Sequence, residues 1–151
     1  MDLVPRILRT ELDDGIFHVI ARGVNRCAIY RDDEDRRTFV RLFARTVPRY
    51  GWDVHALCLM TTHYHVVLDT TVLRMYRGIQ WMNGLYARLF NRRWDRCGHL
   101  FGERYVSKPI EDEDQLANTC GYVLLNPVRA GLCQDPRGWP WSGSKYGKSL
   151  D

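Results

Sequence analysis

Thr62-His63-Tyr64-His65-Val66-Val67-Leu68 is the stretch that decides the fold. Its β-branched and aromatic residues favour an extended chain, and successive side chains of a strand point to opposite faces. Tyr64, Val66 and Leu68 therefore make one apolar face, while His63 and His65 share the other. Two imidazoles two residues apart on one strand face can hold a single divalent cation. Taken alone, paired histidines on a strand are more often packing or surface residues.

The segments on either side place this strand within a sheet. Residues 52–60 read as a preceding strand, joined to it through Thr61-Thr62, so the two form a hairpin. Upstream, residues 15–21 alternate weakly and read as a first strand ending at Arg22-Gly23. Asp32 or Asp33 can cap a helix reaching Tyr50, with Phe39, Leu42, Phe43 and Val47 on one stripe and Pro48 and Gly51 marking its end. Downstream, residues 72–94 read as a long helix with a buried stripe of Ile79, Met82, Leu85, Tyr86 and Leu89; Gly78 and Gly84 weaken it or permit close approach. Residues 97–102 are a loop, and residues 104–110 a fourth strand. Acidic residues 111–114 open a last helix, which Pro127 is expected to end near Asn126. The aromatic tail, Gly138-Trp139-Pro140-Trp141-Ser142, is expected to dock on the body. The order β-α-β-β-α-β-α predicts an α+β, ferredoxin-like fold with a mostly antiparallel sheet and packed helices, in one domain over residues 1–151.

Composition narrows the function classes. The chain has 151 residues, enough for one domain with a real core. No apolar run approaches the roughly 18–20 residues of a membrane helix, and Met1-Asp2-Leu3-Val4-Pro5-Arg6 lacks the apolar centre of a signal peptide. A cytoplasmic protein is expected. Five cysteines, Cys27, Cys58, Cys97, Cys120 and Cys133, are widely spaced without a CxxC pair. That pattern suggests free thiols and neither a zinc ribbon nor a disulfide framework. The 22 basic residues outnumber 18 acidic ones, for a net charge of +4. Arg88, Arg92, Arg93 and Arg96 cluster around Phe90 and Trp94. Such a run at a helix end is either a solvated face or a phosphate-contacting edge with aromatics for stacking.

The last helix carries a second chemical signal. At about 100 degrees per residue, Leu116, Cys120, Val123 and Leu124 fall on one arc, and Gln115, Asn118, Tyr122 and Asn126 on another. Tyr122 and Asn126 stand one turn apart on the same side. Phosphoryl transfer needs a nucleophile, a Lewis acid at the scissile phosphate and basic residues to hold the strand. The histidine strand, the tyrosine helix and the arginines can supply all three.

Taken together, the motifs resemble the single-tyrosine HUH transposases, most closely the REP-associated tyrosine transposases. The likeness includes Phe17-His18-Val19 with Arg22-Gly23, Leu59-Met60 leading to His63-Tyr64-His65, Asn91-Arg92, Gly98-His99-Leu100-Phe101, Arg104-Tyr105, Ser107-Lys108 and Trp141-Ser142. It is strongest in the run from Tyr122 through Asn126-Pro127-Val128-Arg129-Ala130-Gly131.

The resemblance implies that His63 and His65 are metal ligands, that Asn126 offers a third, and that Tyr122 is the nucleophile. It implies Mg²⁺ or Mn²⁺ as cofactor and a 5′-phosphotyrosine intermediate in single-stranded DNA cleavage and rejoining, on palindromic repeats that fold as hairpins. Arg22, Arg26, Arg92, Arg93, Lys108 and Arg129 are the candidate DNA contacts, in a monomer or homodimer that is nucleoid-associated when bound to DNA. His18, His55 and His99 are read as structural. Two positions depart from the family pattern: Thr61-Thr62 stands where relatives often have Asn before the first histidine, and Gly121 where a larger, often basic residue is common. Two other readings remain open, a catalytically idle hairpin-DNA-binding module and a metal phosphodiesterase that uses water.

Overall fold

A computed structural model describes residues 14–145 and Gly147. The N-terminal hexapeptide considered above lies outside the described residues. Five strands form the sheet: β1 (Asp14–Arg22), β2 (Asp53–Leu59), β3 (His63–Thr71), β4 (Val106–Ile110) and β5 (Ser142–Ser144). Their order is β4-β1-β3-β2-β5, every neighbouring pair antiparallel. The histidine strand β3 is central, flanked by β1 and β2 as the hairpin reading requires.

Three α-helices cover the sheet, and local chemistry sets their ends. The helix α1 (Asp33–Tyr50) starts where the Asp32 carboxylate accepts from the Asp35 amide, with three acidic residues in its first turn, and ends at Gly51, whose φ of 65° favours glycine. Thr71 caps α2 (Val72–Arg93), and the Asp112 carboxylate caps α3 (Glu113–Arg129) by accepting from the Gln115 amide. Gly78 is required by packing, because a Cβ there would lie 2.4 Å from the Trp52 ring.

Strand parity divides the core in two. Val19, Ala21, Tyr64, Val66 and Leu68 join Phe39, Met75, Ile79, Met82, Tyr86 and Phe90 in the larger cluster, beneath α1 and α2. Ala56, Cys58, Val67, Cys120 and Val123 form a smaller cluster beneath α3. His18, His63 and His65 alternate with residues of the first group, so they stand on the α3 side.

Four expectations change. β4 begins at Val106 rather than residue 104. The tail does dock, but as a fifth strand on β2; Ser-Gly-Ser has little strand propensity, and pairing with β2 orders it. Leu89 is 39% exposed and lies off the buried stripe of α2. Most consequentially, α3 continues through Pro127 to Arg129. Proline deletes one helix hydrogen bond but has a helix-compatible φ, and Pro127 is itself buried against the body.

Candidate active site

The site forms where β3, β1 and α3 meet. His63 and His65 have ring centroids 5.0 Å apart. Tyr122, on the facing side of α3, presents its ring edgewise to His65 at 6.3 Å and to His18 at 6.2 Å. His65 is 2% exposed, whereas Tyr122 is 48% exposed. A buried imidazole next to an accessible phenol is the arrangement a nucleophile needs: its ring seated and its oxygen within reach of a substrate.

Hydrogen bonds orient both histidines. Thr62 Oγ1 lies 3.0 Å from His63 Nδ1, and His18 Nε2 lies 2.9 Å from His65 Nδ1. The Thr62 departure from the family pattern therefore still supplies a group that holds the first histidine. With both Nδ1 atoms engaged, the Nε2 atoms remain, and His65 Nε2 is buried without a hydrogen-bond partner. Asn126, one turn beyond Tyr122, likewise leaves its side-chain nitrogen buried and unpartnered, and a flip of that amide would put its oxygen there. Buried polar atoms without partners are costly, and a divalent cation accepting lone pairs from His63, His65 and Asn126 would relieve that cost. The donor set, two imidazoles and an amide, is one that a divalent cation can use.

The electrostatics keep these imidazoles neutral, the form that binds metal. Burial, reinforced by the Arg22 charge, lowers His63 to about 4. Burial, then the neighbouring His63, His18, Arg22 and Arg129, lowers His65 to about 3. Burial and Lys108 lower His18 to about 4.

Three of the six predicted basic contacts surround this cluster. Arg22 pairs with His63 across the β1–β3 ladder, and Lys108 with His18 across β1–β4. Lys108 also borders a cavity of about 670 Å³ lined by His18, Asp114, Asn118, Thr119 and Tyr122 among others. Arg129 places its guanidinium over the Tyr122 ring, 4.1 Å from the centroid, and donates to the Tyr122 carbonyl. That double contact depends on α3 continuing past Pro127. Arg26 is exposed in a short 3-10 turn just beyond β1, with φ of 57°.

The remaining two sit elsewhere, at the C-terminal end of α2. Arg92 is exposed there. Arg93 is bound to Asp32 at 2.5 Å and Asp35 at 2.6 Å, so its charge already has partners. Gly121 faces open space, where a larger residue would fit.

Two features were missed by reading the sequence. One is His18, whose bond to His65 depends on cross-strand register. The other lies at the far end of β3, where Asp53, His55 and Asp69 bring ligand atoms within 4.8 Å of one another. The structural reading of His55 does not foresee this group, because the Asp53–Asp69 pairing that assembles it is again a matter of register. Lys145 bonds Asp53 there at 2.6 Å.

The comparisons with known proteins bear on this arrangement, an antiparallel sheet with two histidines on its central strand facing a helix-borne tyrosine. Residues 12–125 match the family described as "Transposase IS200 like", and the chain belongs to that family. A Haemophilus influenzae protein named "Putative REP-associated tyrosine transposase" is 27% identical over 115 residues, covering 69% of this chain and 65% of its own length. Among solved structures, a REP-associated tyrosine transposase bound to a REP hairpin has the same fold, with a TM-score of 0.65 at 14% identity, covering 85% of this chain and 75% of that one. A structure from Deinococcus radiodurans matches with a TM-score of 0.53 at 17% identity, covering 74% of this chain and 90% of that one. The ferredoxin-like reading of the sheet and the resemblance read from the motifs are thus borne out. Among the described residues, no helix is long and apolar enough to cross a membrane.

Proposed function

We propose that this protein cleaves and rejoins single-stranded DNA beside a hairpin, with Tyr122 as nucleophile. The observation that carries the reading is the accessible Tyr122 ring standing against His65, whose buried Nε2 has no partner within the protein. Membership of a transposase family supports it.

In this mechanism the Tyr122 phenol releases its proton to solvent as its oxygen attacks the scissile phosphorus. The new bond is a 5′-phosphotyrosine, the bond to the 3′ oxygen breaks, and that oxygen leaves as a hydroxyl after taking a proton. Because the ester energy is retained, a 3′-hydroxyl can reverse the step and rejoin the strand, with no nucleotide cofactor. His63, His65 and Asn126 would hold Mg²⁺ or Mn²⁺, which when bound supplies Lewis-acid polarisation of the phosphate. Arg129 keeps the phenol ring oriented through its stacking contact and places a positive charge over the ring whose oxygen must meet the phosphate. Arg22, Arg26, Lys108 and Arg92 are proposed backbone contacts. Arg93 serves the protein through Asp32 and Asp35, and reaches DNA only by exchanging those partners.

Incubation with end-labelled hairpin DNA from sequences flanking the gene, followed by denaturing electrophoresis, tests this reading. A slow covalent band that Tyr122→Phe abolishes while DNA binding persists is the expected result. Cleavage without a covalent band would instead make water the nucleophile.

A further inference from the structure

We propose that His18 is a positioning residue that holds His65 with its proton on Nδ1, so that the Nε2 lone pair is turned outward for a divalent cation. The inference rests on the metal reading of His63 and His65 and adds to it a residue outside the ligand set.

A neutral imidazole carries one proton, so one ring nitrogen donates and the other accepts. The 2.9 Å contact between His18 Nε2 and His65 Nδ1 can therefore be arranged in two ways. If His18 donates, the His65 proton sits on Nε2. That N–H is then buried with no acceptor, and no lone pair is left for a metal. If His65 donates, Nε2 carries a lone pair, and a cation is the partner that this orphaned atom lacks. Only the second arrangement makes the site complete, and it requires His18 to accept.

The fold enforces the contact. His18 pairs with Val67 of β3 and Lys108 of β4, while Ile20 pairs with His65, so the two histidines are diagonal neighbours on one face of the ladder. Their ring centroids lie 5.1 Å apart with planes inclined by 23°, which together with the 2.9 Å contact holds the plane of His65. His18 is itself 6% exposed and has little room to turn away. The other histidine is held differently. The Thr62 hydroxyl at His63 Nδ1 can donate or accept, so it orients the ring without selecting a tautomer.

Long-range ¹H–¹⁵N correlation on the metal-free protein reads the His65 tautomer directly, and Mn²⁺ titration reads the affinity. Wild-type protein should carry the His65 proton on Nδ1. His18→Phe fills the space without an acceptor; it should shift that proton toward Nε2 and weaken Mn²⁺ binding by about 10–100-fold. His18→Asn restores an acceptor oxygen and should recover most of both. A wild-type His65 protonated on Nε2 overturns the proposal whatever the variants do. So does His18→Phe with wild-type tautomer and affinity, or His18→Asn no better than His18→Phe. Wild-type Mn²⁺ affinity in His65→Ala would overturn the underlying metal reading together with this one, whereas loss in His65→Ala with none in His18→Phe overturns this one alone.

Discussion

The two faces of β3 behave differently although they alternate residue by residue. On the α1–α2 side Tyr64 is fully buried, its hydroxyl donating to Asn83 at 2.9 Å, and burial pushes its phenol far above the ordinary range. On the α3 side His65 is as deeply buried, yet Nε2 has no partner and Tyr122 beside it is half open to solvent. The Tyr64 hydroxyl on one face is satisfied within the protein, although Thr70 Oγ1 on the same strand face is not; the other face keeps unmet polar capacity at the edge of a cavity. An orphaned buried donor or acceptor costs about 1–3 kcal/mol, so such a face is expected where a ligand restores what the protein forgoes.

The comparison breaks most directly at the histidines. His63→Ala or His65→Ala should abolish cleavage and weaken Mn²⁺ binding while the fold survives, as judged by circular dichroism; the milder Asn126→Ala should lose less, since water can fill one coordination position. Unchanged cleavage in His63→Ala would remove the metal from the mechanism.

Acid should expose the same asymmetry. Unfolded histidines titrate near 6.5, whereas His18 and His63 are lowered to about 4 and His65 to about 3 in the fold. Between those values the unfolded chain binds more protons than the folded one, so stability rises with pH. In chelator, the melting temperature should therefore hold above about pH 7 and fall as pH drops from about 6.5 toward 4. A smaller fall in His63→Asn would assign part of the slope to this cluster; an unaltered slope would remove His63 from it.

The basic residues offer a subtler contrast. Arg129→Ala should lower the salt slope of hairpin binding by about one unit if its guanidinium meets a phosphate. Arg93→Ala should mainly lower the melting temperature, because it removes the ion-pair partner of the buried Asp35 carboxylate, and should leave the salt slope unchanged. The reverse pattern would mean that DNA lies along the end of α2.

The smallest effect belongs to the Tyr64 face. Tyr64→Phe removes one satisfied hydrogen bond and should cost about 1 kcal/mol in denaturant unfolding, with cleavage retained.

How much of this was legible follows from which interactions are local. Parity along residues 63–68 separated the two faces, and 3.6-residue periodicity put Tyr122 and Asn126 together, because both rules act within one element. Cross-strand register is not local, so the His18–His65 bond and the Asp53–His55–Asp69 group could not be read. The fifth strand was hidden because Ser142–Ser144 is extended by β2 rather than by its own residues. The continuation of α3 was hidden because Pro127 is a breaker by local rules and a packed residue by tertiary ones. That extra turn brings Arg129 onto Tyr122.

The most direct measurement of the central claim is mass-spectrometric mapping of the protein–DNA adduct formed on a single-stranded hairpin substrate with Mn²⁺. The account predicts one modified peptide, containing Tyr122 with a 5′-linked nucleotide, and no adduct in Tyr122→Phe, whose stability should change by less than about 0.5 kcal/mol. An adduct on Tyr105 or another tyrosine, or strand cleavage with no adduct at all, would contradict it.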